Sequence, residues 1–244
     1  MNLLVFSAHS ADFCSRAGGV IAKHAQRGDK VRVVSLSYGE RSESGGLYGN
    51  GQDYSLQEIR DIRHAEATQA AEILGAEIRF LDWGDLSFEY SIENVHKLAQ
   101  EVRDFRPDQV LTHHGPDPVS IDHDTTWHLT MRATQVAGAP GIELRGAPTR
   151  RPEVLLYEAT VPLTEVEGFN PDVYVDITDV WDTKLAALRA FGKAQGFLEP
   201  WYTDVAKRRA FQAQRLCRNS GIVYAEAFGR ATPWVGAYLP ESLS

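Results

Sequence analysis

The 244-residue sequence is poor in cysteine: only Cys14 and Cys217 occur, which excludes both a disulfide scaffold and a cysteine-rich zinc module and points to a reducing, cytoplasmic setting. Basic charge is also short. Against 33 acidic side chains stand 25 lysines and arginines, a formal net charge of -8 that gives no general attraction for nucleic acid or an anionic membrane. No apolar run approaches the roughly 18 residues a membrane-spanning helix needs, and residues 1–8 (MNLLVFSA) lack the basic start and apolar stretch of an export signal. Neither glycine-rich phosphate motif, GxGxxG or GxxxxGK[ST], is present. Trp83, Trp127, Trp181, Trp201 and Trp234 are scattered rather than spaced as a stacking track for single-stranded nucleic acid.

What is present is an alternation of short apolar runs with helical periodicities. Strands are expected at 3–8, 30–38, 77–83, 109–112 and 153–159, with helical pattern from Gly18 to Gly28 and over 56–74, 91–104 and 123–137. Such repeated βα units predict an α/β fold, a Rossmann-like open and mainly parallel sheet flanked by helices. The stretch 39–51, GERSESGGLYGNG, reads as a long flexible surface loop, and 139–152 reads as a connection too short for its own core. A single α/β domain over 1–244 is expected. Its late portion, about 153–244, adds a strand at 174–178, helices at 181–191 and 203–219, and a strand or docking segment at 224–228 that complete the core and pocket.

All eight histidines precede residue 129, and several stand in polar turns after expected strands, where open α/β sheets bind ligands. His9 and Asp12, three positions apart in the turn after the first strand, can reach one divalent ion. His123 brings a second imidazole from HHGPDPVSIDHDTTWH at 113–128, with Asp122 placed to support a histidine or a water and His128 further along the helix. Two histidines, a carboxylate and an open position suit a catalytic zinc site. The same residues in such turns can equally serve as helix caps or turn hydrogen bonds.

The opening turn reads AHSADFCSRAGG at 8–19. With GER at 39–41, RHAEATQAAEILG at 63–75, FLDWGD at 80–85, SIDH at 120–123, DIT at 176–178 with Lys184 beyond it, and AEAF at 225–228, it resembles the LmbE/PIG-L superfamily of zinc-dependent deacetylases along essentially the whole chain. The superfamily opens with A-H-P-D-D-E followed by four residues and G-G. The resemblance implies one Zn2+ per chain on His9, Asp12 and His123, and substrate contact by Arg63. Three positions depart from the pattern. Ala11 stands where the superfamily has its general-base aspartate, Phe13 where it has the following glutamate, and Ser120 where H-P-D-H has its first histidine.

An alanine cannot accept a proton, so hydrolysis by the usual route would need another base. The combination of AHSADF, CSRAGG, LSYGERSES and SIDHDTTWH is similar instead to the aromatic-degradation branch, the 4-oxalomesaconate hydratases. That branch implies a small tricarboxylic oxo-acid substrate, hydrated to 4-carboxy-4-hydroxy-2-oxoadipate in gallate or protocatechuate breakdown. Arg16, Arg41 and Arg63 are the carboxylate-binding candidates. Glu43, then Glu40, are candidates for the missing acid–base group, with His128 as an alternative proton donor and Asp122 tuning the metal site. Of His113 and His114 only one can point inward from extended backbone. Glu226 either meets an active-site arginine or braces the fold. Removal of acetyl from an amino sugar, and an inactive metabolite-binding protein, are the competing readings, and symmetric homo-oligomers are expected.

Overall fold

The computed structural model describes residues 1–49, 51–158, 168–233 and 235; the last residue of the strand expected at 153–159 and Trp234 lie outside them. β1 (Asn2–Ser7), β2 (Lys30–Ser35), β3 (Glu77–Phe80), β4 (Gln109–His113) and β5 (Glu153–Tyr157) are parallel, and the sheet continues through β7 (Ala225–Arg230) to an edge strand, β6 (Val173–Asp176). The order is β3-β2-β1-β4-β5-β7-β6, with β7 antiparallel to both neighbours. The run LLVF in β1 is apolar throughout because both faces are covered: Leu3 and Val5 join one core, Leu4 and Phe6 the other.

The first core is closed by α1 (Asp12–Gln26), α2 (Leu56–Leu74), α5 (Trp181–Arg189) and α6 (Leu198–Cys217). The second is closed by α3 (Ile92–Phe105) and α4 (Ile121–Gly138). Local sequence explains the limits of α2: Ser55 and Glu58 form a reciprocal capping box, and Gly75 ends the helix in the left-handed conformation. The connection after α4 is pinned by the buried Arg103, whose guanidinium donates to the carbonyls of Ala137, Ala139, Ile142, Leu144 and Gly146.

Two helices start earlier than their apolar periodicity indicates. α1 begins at Asp12 rather than near Gly18, because its opening turns are buried on nearly every side and include Asp12 and Ser15, which blurs the amphipathic pattern. α6 begins at Leu198 rather than 203, since Pro200 falls in the first turn, where a missing N–H breaks no helical bond.

The motif at the end of the chain braces the motif at its beginning. Glu226 on β7 is buried and accepts from the backbone N–H groups of Gly19 and Val20 in α1, both at 2.8 Å, while Lys184 donates to it at 2.6 Å. Gly19 is needed for this approach, because a Cβ there would lie 2.6 Å from Ile177 Cγ2. Glu226 therefore braces the fold, and among the described residues its partners are Gly19, Val20 and Lys184 rather than an arginine of the cleft. Replacing it by alanine strands the Lys184 ammonium in the core, and Glu226→Ala is expected to lose about 3–5 kcal/mol of stability, measured by denaturant unfolding. A loss below about 1 kcal/mol would show that the pair is not a brace.

Candidate metal centre

The parallel strands deliver their C-terminal ends to one side of the sheet, and the crossovers diverge between β1 and β4, the switch point where such sheets open a crevice. His9 follows β1, Asp12 opens α1, His113 ends β4 and His123 lies in the first turn of α4. Glu43 reaches the same point from the loop after β2.

His9, Asp12, Glu43 and His123 can each offer a ligand atom, with all four atoms within 4.8 Å of one another. His9 Nδ1 is 3.3 Å from Glu43 Oε1 and 3.5 Å from Asp12 Oδ2, and His123 Nε2 is 3.5 Å from Asp12 Oδ1 and 3.8 Å from Glu43 Oε1. These two nitrogens are buried without a hydrogen-bond partner. Their opposite ring nitrogens face carboxylates: His9 Nε2 lies 3.2 Å from Asp122 and 3.3 Å from Asp85, and His123 Nδ1 lies 2.7 Å from Asp117. Proton donation to those carboxylates leaves a lone pair on each inward nitrogen, the tautomer a metal-binding imidazole requires. Two orphaned imidazole nitrogens beside two carboxylates therefore fit a divalent cation.

The electrostatics agree. Burial opposes charge on His9, but Glu43, Asp12, Asp122 and Asp85 outweigh it and hold its pKa well above the ordinary value. His123 is likewise raised, burial being overcome by Asp12 and Asp117. Burial pushes Asp12 upward, yet Arg16 and the imidazole of His123 hold its carboxyl well below the usual range. His113, stacked on His123 at 4.1 Å, is pushed down to about 3 by burial and by its charged neighbour. It accepts the backbone N–H of Ala8 at Nε2 and stays neutral, a support for the His123 ring.

A cleft of about 610 Å³ opens onto the centre. Its walls include Ala11, Asp12, Arg16, Ser42, Glu43 and His123, and on the far side Gln195, Phe197, Trp201 and Tyr202. Arg16 donates to Asp12 Oδ1 at 2.7 Å and to the Glu158 carbonyl at 2.8 Å. Of the expected residues, His9, Asp12, His123, Glu43 and Arg16 meet here, and Asp122 stands behind His9.

Four others do not. Arg63 is fully buried and spends its guanidinium on the Tyr38 carbonyl, Glu66 and Gln195, out of a substrate's reach. Glu40 turns away to the backbone N–H of Asp85 and to Arg60. His128, with its side chain 54% exposed, points outward beside Asp124 and Tyr90, because five residues along a helix carry it off the face that His123 uses. Arg41 has an exposed side chain, and only its backbone N–H contributes, to Asp85. Of the adjacent histidines, His113 points inward and His114 packs on Phe169.

Four supporting residues escape a sequence reading. Asp85 accepts from the backbone N–H groups of Arg41 and Ser42 at 2.7 and 2.6 Å as well as facing His9, so the loop after β2 is clamped rather than free. Gly39, at φ +70°, makes the turn that sets Glu43 against His9. Asp117 and Gln195 complete the set. The motifs FLDWGD and HHGPDP flag the two aspartates, whereas nothing local flags Gln195.

A family model described as GlcNAc-PI de-N-acetylase, PIG-L, matches residues 4–134. The 4-oxalmesaconate hydratase of Pseudomonas putida KT2440 is 41% identical over 95% of this chain and 90% of its own. The crystal structure of GalB, the 4-carboxy-2-hydroxymuconate hydratase from Pseudomonas putida KT2440, is similar with a TM-score of 0.91 at 40% identity, covering 98% of this chain and 99% of that one. The diacetylchitobiose deacetylase of Thermococcus kodakarensis is 28% identical over 77% of this chain and 67% of its own.

Because His9 and His123 bind protons more tightly folded than unfolded, they stabilise the metal-free protein below their ordinary value of 6.5 and lose that contribution as pH rises through the raised values. A divalent cation competes with those protons. Its affinity is expected to be greater near pH 8 than near pH 6, with protons released on binding, by calorimetry of chelator-treated protein. His123→Ala should abolish binding and His128→Ala leave it unchanged; an affinity indifferent to pH would contradict the assignment.

Proposed function

The chain belongs to the PIG-L family, and from that premise we propose that it is a hydratase, adding water across the carbon–carbon double bond of 4-oxalomesaconate to give 4-carboxy-4-hydroxy-2-oxoadipate in the breakdown of gallate or protocatechuate. The observation that carries the reading is a displaced carboxylate. Ala11 forms bare cleft wall where the deacetylase pattern places its base, while Glu43, from the opposite loop, sets Oε1 3.3 Å from His9 Nδ1. This coincides with full-length likeness to a hydratase at 41% identity, whereas the deacetylase likeness is weaker, at 28% identity to the Thermococcus enzyme.

Zn2+ suits the donor set and would be held, one per chain, by His9 Nδ1, His123 Nε2 and Asp12. When bound, it supplies electrophilic stabilisation for charge building on the oxo-acid oxygens. Glu43 removes a proton from water as the water oxygen bonds to C4, and the proton returns to the neighbouring carbon, so that H and OH add with no net change in charge. Glu43 suits this task in being ionised: its carboxyl, raised by burial, is drawn below the ordinary range by His9 and His123. Asp122 and Asp117 hold the two imidazoles in register.

A tricarboxylate also needs positive potential. Of the three arginines expected to provide it, Arg16 alone lines the cleft, and the rest comes from the backbone: the first residues of α1, α4 and α6 all face it, bringing three positive helix ends to one space. The mouth carries exposed Val119, Ile121, Phe197 and Trp201, apolar area suited to covering by a second copy in a symmetric oligomer.

The direct test is consumption of 4-oxalomesaconate before and after chelation, with zinc added back. No zinc-dependent consumption by the unaltered protein would overturn the reading. Glu43→Gln is expected to lower turnover by about 10²–10⁴-fold with zinc content retained, and Glu40→Gln to stay within about fivefold of normal, since the amide oxygen still accepts from Asp85.

A further inference from the structure

Gln195 lies between the buried Arg63 and Glu43, and its own side chain is buried. We propose that Gln195 is the positioning residue for Glu43 and that Arg63 fixes which end of its amide faces the cleft; this rests on the assignment of Glu43 to proton transfer.

The argument is one of donors and acceptors. A guanidinium has five N–H donors and no acceptor, so whatever faces it must accept. Arg63 Nη2 donates to Gln195 Oε1 at 2.8 Å, which forces the amide nitrogen to the other side, where Nε2 donates to Glu43 Oε2 at 3.4 Å. With Oε2 held, the remaining oxygen, Oε1, is the one turned toward His9 and His123. Arg63 cannot swing, because Nε is bonded to the Tyr38 carbonyl and Nη1 to Glu66, and its face lies on the Phe191 ring. Gln195 is fixed through its backbone too: the N–H of the preceding Ala194 donates to Glu66 Oε1, and the Ala194 carbonyl accepts from Gly46 in the loop that carries Glu43. The arginine motif on α2 thus reaches the reacting centre through one neutral amide.

Two substitutions separate positioning from mere bracing. Gln195→Glu keeps size and satisfies Arg63, which also keeps the new carboxylate ionised, but sets a like charge against Glu43. Gln195→Met removes the donor to Glu43 without adding repulsion and leaves Arg63 Nη2 unpaired. If Gln195 only braces Arg63, Gln195→Glu is the milder change. If it positions Glu43, Gln195→Glu melts no lower than the unaltered protein yet loses about tenfold or more in kcat with KM little changed, and Gln195→Met melts lower but keeps more kcat. A kcat for Gln195→Glu within about twofold of normal, or kcat values that follow the melting order, would overturn the proposal. Should the unaltered protein not hydrate 4-oxalomesaconate, the hydratase reading falls and Gln195 is judged on the cobalt(II)-loaded proteins: an absorption spectrum shifted more by Gln195→Glu than by Gln195→Met supports positioning of Glu43 at the metal, and any other result overturns it.

Discussion

The mutual repulsion of buried carboxylates governs this molecule. Asp12, Asp85, Asp117 and Asp122 are nearly or wholly removed from water and Glu43 largely so, all within reach of two imidazoles. Negative groups held that closely in a medium of low polarity require positive partners. Arg16 supplies one, raised protons on His9 and His123 supply others, and a divalent cation would replace the protons. The surrounding architecture keeps these charges from relaxing apart: Asp85 is tied to a loop, Asp122 to the Leu86 backbone and Asp117 to the turn before α4.

The sheet and its flanking helices were legible because covering a parallel sheet on both faces leaves apolar runs and helical periods that survive in one dimension. His9, Asp12 and His123 were legible for a related reason: short turns after strands constrain where a side chain can go. Arg63, Glu40 and His128 stood in equally suggestive places and point elsewhere, since the direction of a long side chain, or of one late in a helical turn, is decided by neighbours far along the chain. Gln195 is the extreme case. It is neutral, is separated from Glu43 by about 150 positions and belongs to no motif, so only packing discloses it.

The net charge of the whole chain is a poor guide to the cleft, whose lining sets Arg16 and three helix N-termini beside Asp12, Glu43, Asp117 and Asp124. Peptide dipoles carry no entry in a count of acids and bases, yet three helices aim their positive ends at one space. With a divalent cation joining those helix ends, a chain of net charge -8 could receive an anion at a single place while repelling polyanions over most of its surface.

The bond from Glu226 to the N–H groups of Gly19 and Val20 joins the last strand to the helix that begins with Asp12. The two contacts span 207 and 206 positions, so the seat of the first helix is completed from far along the chain. His9, Asp12 and His123 all precede by roughly a hundred positions or more the carboxylate that completes the bracing of α1. A chain not yet carrying β7 can set α1 against β1, β2 and α2 but leaves the Gly19 and Val20 N–H groups and the Lys184 ammonium without their acceptor, so the helix that opens with Asp12 is fully braced only when β7 has joined the sheet.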